Sequence, residues 1–331
     1  MMSGVDDRPV VCGKQGSQTD LMEGDEVTVS FGIDAAFVPH MAAVIASVVA
    51  HAPDARFRFL ILHTGVDASR RASVETVAPG ARFDWVEIDE SDVPAFRDRG
   101  HFTRAILFRL GLERLAPQDC RRVIYLDADV IVLRDLRELW RKDLGACPIG
   151  AVTDTFVYYE DYPAEFAKRW GLIYENGAYV NSGVLLIDLD QVRREGGFSR
   201  VISFVAEHGN DLLFADQDAI NAVFWGRCCL LGNEWNVSRD RAIAGIAVSL
   251  PHSKRLNGLS PAIVHYSHMY KPWRNSGYHP WAWLYWRYLA KTPFTREVAS
   301  TYGVTFKARM RLWLRWLRRH PSLHSRAAST R

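Results

Sequence analysis

Ile124-Tyr125-Leu126-Asp127-Ala128-Asp129-Val130-Ile131-Val132 is the stretch on which the fold turns. Aliphatic and aromatic residues on both sides predict a buried strand that enters a turn and leaves as a second short strand, with two carboxylates at the break. Burying one unpaired carboxylate costs several kcal/mol and two close together cost more, so positive charge is expected beside them. A divalent cation bound through oxygen ligands meets that need. An isolated Asp-x-Asp is also common as a turn cap facing water, so the site reading depends on what the rest of the chain supplies.

Upstream, Val27 to Ile33 reads as a first strand broken at Gly32 and Asp34, and Phe37, Met41, Val44, Ile45, Val48 and Val49 recur at helical spacing. Phe57 to Leu62 and Arg82 to Ile88 read as further strands. Strands alternating with helices predict an α/β fold on a Rossmann-like, doubly wound, mostly parallel sheet, whose ligands sit at the carboxyl ends of strands. Asp34 and Asp127 fall at such ends. Thr103 to Leu115 shows helical periodicity through Ile106, Leu107, Leu110 and Leu115. Its Arg109 either snorkels to a surface acid or offers its planar fork to a phosphate or carboxylate.

Downstream, Leu136 to Trp140 reads as a short helix and Ile149 to Val152 as a strand ending at Asp154. Tyr179 to Asp188 reads as a long strand interrupted by Asn181-Ser182-Gly183. A glycine there marks either close approach of a ligand or backbone, or a β-bulge. Asp216-Gln217-Asp218 opens a helix, where acids complement the dipole and capping is the default role. Ala262 to Tyr266 is a strand leading into His265-Tyr266-Ser267-His268-Met269-Tyr270-Lys271-Pro272-Trp273. A histidine and a lysine in that loop can supply a borderline metal ligand and a phosphate-neutralising charge six residues apart, though a lone strand-end histidine is more often only hydrogen-bonded.

The 331 residues, 48% hydrophobic and 24% charged, suit one large α/β domain or two small ones. Five cysteines without paired spacing fit free thiols in a reducing compartment. No run of about eighteen apolar residues and no secretion signal is read, which predicts a protein on the cytoplasmic side. Residues 1–25 read as a mobile leader, 26–280 as the catalytic domain and 281–331 as a helical extension. Net charge is +3, but the last acidic residue is Glu297, leaving 33 of the 41 basic residues against all 38 acidic ones before the tail. This argues against nucleic acid as a partner. In the tail, Phe306, Met310, Trp313, Leu314 and Leu317 fall on one helical face and Lys307, Arg311, Arg315 and Arg318 on another. That pattern predicts an in-plane anchor on an anionic membrane surface, the alternative being a helix packed on the body.

Taken in order, these motifs resemble glycosyltransferase family 8, the retaining, nucleotide-sugar-dependent group of bacterial lipopolysaccharide galactosyl- and glucosyltransferases and glycogenins. The carriers are Phe31-Gly32-Ile33-Asp34, Phe108-Arg109-Leu110, Tyr125-Leu126-Asp127-Ala128-Asp129, Asn181-Ser182-Gly183-Val184, Asp216-Gln217-Asp218, and His265-Tyr266 with Lys271-Pro272-Trp273. The resemblance implies a GT-A type fold and roles for individual residues. Asp127, Asp129 and His265 would hold Mn²⁺ or Mg²⁺. Lys271 would neutralise the diphosphate, Asp34 and the Gly32 backbone would contact uracil, and the Ala128 backbone the ribose. Arg109, Asp154, Asn181, Asp216 and Gln217 would surround the donor sugar. His268 stands where the family usually has a glycine against the β-phosphate, and Ala36 where a polar base-contacting residue is common. His101 matches an acceptor-pocket position.

The implied activity is transfer of a hexose, galactose or glucose, from a UDP-sugar to a saccharide or glycolipid acceptor such as lipopolysaccharide. The family places Gln217 opposite the anomeric carbon, and an amide is a poor nucleophile, which favours same-face substitution. Asp154 or Asp216 as a carboxylate nucleophile is the alternative. A nucleotide-sugar-binding protein with little turnover and a sugar-1-phosphate nucleotidyltransferase are the competing classes. The second lacks its Gly-rich phosphate loop after the first strand.

Overall fold

A computed structural model describes residues 26–89, 104–155, 161–175, 177–239, 241–242, 261–267, 269–274 and 279–319. The leader, His101 and His268 therefore lie outside the described residues. Seven strands form the main sheet in the order β3-β2-β1-β4-β7-β6-β8. They are β1 (Val27–Asp34), β2 (Phe57–Thr64), β3 (Arg82–Glu87), β4 (Arg122–Leu126), β6 (Ile149–Thr153), β7 (Val180–Asp188) and β8 (Cys228–Leu230). Only β7 runs against the others, pairing antiparallel with β4 and β6. This is the mixed, mostly parallel sheet that alternating strands and helices predict. β5 (Val130–Val132), β10 (Ile263–His265) and β9 (Val237–Ser238) make a second, small sheet.

Apolar burial explains these elements. All seven aliphatic or aromatic positions of the central β4 and β5 strands, Val123 to Leu126 and Val130 to Val132, are at most 1% exposed. Each such side chain contributes roughly 1.5–3 kcal/mol on burial. The helix Val38–His51 is buried from Val38 to Val48, because the sheet covers one side and the helix Ala282–Leu289 the other. Leu284, Tyr285 and Trp286 thus share one core with Val29, Phe31 and Val44. The four described cysteines are free thiols.

Two local expectations are corrected. The α-helix expected over Thr103 to Leu115 is a 3-10 helix, Arg104–Gly111, closed by one α-turn, Leu112–Leu115. Leu107 and Leu110, three apart, share a face in either helix type, so periodicity alone does not separate them. Packing decides: a Cβ on Gly32 would lie 2.9 Å from Phe108 Cβ and 3.4 Å from the Ala105 carbonyl, so this segment presses directly on β1. The second correction concerns Asp216. The helix Ala215–Phe224 begins after Phe214 without a side-chain cap. Asp218 accepts the Phe214 N–H at 2.8 Å, and Asp216 turns away into the protein.

The tail forms the helix Phe306–Arg319. Leu312 packs against the core and Arg309 lies 5.3 Å over the Trp286 ring, so one face docks on the body. Phe306, Met310, Trp313 and Leu314 are exposed. Lys307, Arg311 and Arg315 are exposed as well. The side chains of Leu317 and Arg318 lie outside the described residues. Among the described residues no helix is long and apolar enough to cross a membrane.

Candidate active site

β4 ends at Leu126, the turn Asp127-Ala128-Asp129 follows, and β5 begins at Val130. β5 pairs antiparallel with β10, opposing Val130 to His265, and the Tyr266 N–H donates to the Asp129 carbonyl at 2.9 Å. A hydrogen-bonded register thus brings the imidazole beside both carboxylates. One ligand atom from each of Asp127, Asp129 and His265 falls within 4.8 Å of the other two. His265 Nε2 lies 3.2 Å from Asp129 Oδ1 and 3.8 Å from Asp127 Oδ2.

Each acid divides its oxygens. Asp127 Oδ1 accepts from Arg109 at 2.8 Å and from the Tyr125 hydroxyl at 3.2 Å, which leaves Oδ2 toward His265. Asp129 Oδ2 is paired with the Lys271 ammonium, while Oδ1 is buried and, among the described residues, faces only His265 Nε2 at 3.2 Å with no assigned hydrogen bond. Such an orphaned anionic oxygen is costly unless a cation sits on it. Burial opposes the charged form of Asp129, but the Lys271 ammonium overrides it and holds the carboxyl well below its usual range. Two carboxylate oxygens and one imidazole nitrogen are donors suited to Mn²⁺ or Mg²⁺.

Glycine makes the room. A Cβ on Gly183 would stand 2.4 Å from His265 Cε1 and 2.7 Å from Asp127 Oδ2, so only a bare backbone fits there. The bulge reading of this position holds, since the β6–β7 register shifts between Ala151 and Val152, opposite the Asn181-Ser182-Gly183 segment, while what closes on the glycine is the side chains of His265 and Asp127. The Gly183 carbonyl accepts the Asp127 N–H at 2.8 Å, which pins the first acid to the bulge.

Arg109 neither snorkels nor meets a surface acid. It is 3% exposed, 4.5 Å over the Tyr125 ring, with Nε 3.2 Å from Asp216 Oδ2 and a further bond to the Ser182 carbonyl. Burial pushes the Asp216 carboxyl up to about 6, Arg109 pulling down and Asp127 pushing up. Beside it, Gln217 donates through Nε2 to Asp154 Oδ2 at 2.7 Å. Its Oε1 accepts from Asn181 Nδ2 at 3.0 Å and the Ser182 N–H at 3.2 Å. Asn181 also donates to Asp154 Oδ2 at 3.3 Å. The sequence candidates Arg109, Asp127, Asp129, Asp154, Asn181, Asp216, Gln217, His265 and Lys271 thus form one connected polar cluster.

Gly32 and Ala128 border it, whereas Asp34 serves its own turn. Asp34 Oδ1 caps the turn Ala35–Phe37 by accepting the N–H groups of Ala36 at 2.9 Å and Phe37 at 3.2 Å. Gly32 stands 3.4 Å from the Tyr125 hydroxyl, measured from an added Cβ, and Ala128 is buried between the two acids.

Several participants had no assigned role in the sequence reading. Asn236, 4% exposed, joins Asn181 to His265. Tyr179 binds the Asp218 carboxylate and lies 3.4 Å from Gln217 Nε2, and Tyr162 donates to the same Asp218 at 2.8 Å. Tyr125, Tyr179 and Ser182 sit inside the motifs already singled out. The only signal for Asn236 is a polar residue between the buried Trp235 and Val237.

Comparison with known proteins adds an independent line of observation. The profile of glycosyl transferase family 8 matches residues 28–277. General stress protein A of Bacillus subtilis (strain 168) is 26% identical over 270 residues, 77% of this chain and 90% of that protein. The lipopolysaccharide 1,2-glucosyltransferase of Escherichia coli (strain K12) is 24% identical over 261 residues, 77% of this chain and 74% of that protein. A crystal structure of the galactosyltransferase LgtC with donor and acceptor sugar analogs superposes with a TM-score of 0.66 at 26% identity, covering 84% of this chain and 97% of that one.

Proposed function

The chain belongs to glycosyl transferase family 8, and on that premise we infer that it moves a hexose from a UDP-sugar to a saccharide acceptor with retention at the anomeric carbon. The observation carrying this reading is the convergence of Asp127 Oδ2, Asp129 Oδ1 and His265 Nε2 beside the Gly183 backbone. A divalent cation held there, Mn²⁺ or Mg²⁺, would act as Lewis acid on the departing nucleoside diphosphate. Lys271, between Asp129 and the Tyr266 carbonyl at 2.8 Å, brings further positive charge to the same point.

Gln217 supports same-face substitution. Its Oε1 already accepts two N–H groups, so the amide oxygen has no free electron pair to offer in a covalent step. The departing phosphate then takes the acceptor hydroxyl proton as the new bond forms. Asp216 and Asp154 are the alternative nucleophiles, and Asp154 has both oxygens engaged, by Thr155 N–H at 2.6 Å and by Gln217. Mass-spectrometric trapping of a glycosylated Asp154 or Asp216 would replace this mechanism with double displacement.

The similarity to a lipopolysaccharide glucosyltransferase supports lipopolysaccharide or another surface glycan as acceptor. The exposed apolar and basic faces of Phe306–Arg319 support peripheral attachment to the inner face of the cytoplasmic membrane. The deciding experiment is a screen of UDP-sugars with and without Mn²⁺. Turnover of one UDP-hexose that chelator abolishes is expected. Binding of UDP-sugars without hydrolysis or transfer would instead make this a nucleotide-sugar-binding protein.

A further inference from the structure

We propose that Asn236 is a positioning residue that sets the tautomer of His265 and couples the cation site to the Gln217 amide through Asn181. The inference rests on the metal-assisted reading above. It follows from hydrogen-bond directions that the backbone leaves no freedom to reverse. The Gly183 N–H can only donate, and it points at Asn181 Oδ1 from 3.0 Å. That contact fixes which end of the Asn181 amide is oxygen.

Asn236 approaches the same oxygen at 2.7 Å and must do so with its NH₂ group. Its own Oδ1 is then the atom 2.9 Å from His265 Nδ1. A carbonyl oxygen only accepts, so Nδ1 carries a hydrogen, and Nε2 is left as the nitrogen whose lone pair a cation beside Asp129 Oδ1 and Asp127 Oδ2 could take. A second backbone donor checks the direction independently. Ser182 N–H fixes Gln217 Oε1 as oxygen, which requires the facing Asn181 atom to be NH₂. Both routes give the same orientation.

The consequence is that Asn236 holds the single hydrogen of the neutral ring on Nδ1, away from the ring nitrogen a cation needs. With Asn236 4% and His265 3% exposed, water does not substitute for it. Partners that orient a ligating histidine are worth about 10–100-fold in metal affinity.

The test compares wild type, Asn236→Leu and Asn236→Asp. Long-range ¹⁵N–¹H NMR of the His265 ring in metal-free protein reads the tautomer, and EPR titration reads Mn²⁺ affinity. Wild type is expected to carry the hydrogen on Nδ1. Asn236→Leu should lose that preference and bind Mn²⁺ about 10–100-fold more weakly. Asn236→Asp, which still offers an acceptor to Nδ1 but no donor to Asn181 Oδ1, should restore the Nδ1 preference. A wild-type hydrogen on Nε2, or an Asn236→Leu variant with wild-type tautomer and affinity, overturns the proposal. Absence of Mn²⁺ binding by wild type would overturn the metal-assisted reading instead, and the NMR result would still decide the role of Asn236. Should Asn236→Leu not fold, wild type and Asn236→Asp carry the same decision.

Discussion

Replacing Gly183 with alanine adds a single methyl group, and the geometry fixes where it goes. Its carbon would sit 2.4 Å from His265 Cε1, 2.7 Å from Asp127 Oδ2 and 3.0 Å from His265 Nδ1. Carbon contacts settle near 3.5 Å, so the imidazole must retreat by about 1 Å. Gly183 is not one of the glycines with left-handed φ, so its backbone accepts alanine and the whole effect is steric. Metal–ligand distances tolerate only about 0.2 Å. A displacement of about 1 Å is worth roughly 100-fold, or about 2.7 kcal/mol. Mn²⁺ binding in the presence of UDP, followed by EPR, is therefore expected to weaken about 100-fold, with turnover falling in step. A Gly183→Ala protein that folds and binds Mn²⁺ within about threefold of wild type would show that the three side chains do not share a cation.

Other expectations follow from charge and burial. Arg109→Met leaves Asp127 and Asp216 without their shared guanidinium, so the urea midpoint should drop by the equivalent of about 3–5 kcal/mol. Adding Asp216→Asn should recover part of that loss, and an unchanged midpoint would deny the pair a structural role. His40 stacks 3.8 Å from Trp273, binds the Tyr285 hydroxyl at 2.6 Å, and is pushed by burial from 6.5 down to about 3. Because the unfolded chain takes that proton first, stability is lost as pH falls below 6.5 toward 3. The loss amounts to roughly 3 kcal/mol at about pH 4.5. His40→Gln should flatten the fall in unfolding free energy between about pH 7.5 and 4.5, and an unaltered slope would assign the acid sensitivity elsewhere. Lys307, Arg311 and Arg315 together contribute roughly 3 kcal/mol of attraction to an anionic surface. Trp313→Ser with Leu314→Ser, both exposed, should abolish sedimentation with anionic liposomes while leaving the melting temperature alone. Retained sedimentation would remove the tail from any membrane role.

How much of this was legible in the sequence depended on how local the signal was. Strand runs such as Val27 to Ile33 and Phe57 to Leu62 carry their apolar pattern within a few residues, and the main sheet follows from them. The Asp127 and Asp129 pair announced itself by sitting where two apolar runs meet. Its partnership with His265 was reachable only through the family resemblance, since nothing in periodicity says that β10 pairs with β5. Arg109 was legible as an oddity, but its burial between two acids depends on β4, β7 and the helix Ala215–Phe224 meeting in space. Asn236 was the least legible. Its role exists only as hydrogen-bond direction between residues far apart in the chain, and amide composition does not encode direction.

The antiparallel register of β5 with β10 has a temporal consequence. Lys271 and Asp129 are 142 positions apart, and His265 reaches the acids only after that long loop closes. Ribosomes deliver the acids early and the imidazole late, and closure of a loop that long is among the slower steps of folding. A nascent chain halted before Ile263 carries two of the three proposed ligands, Asp127 and Asp129, and lacks the third. On the proposed metal-assisted reading, a full ligand set would exist only once the strand Ile263–His265 has been made and the two sheets have met.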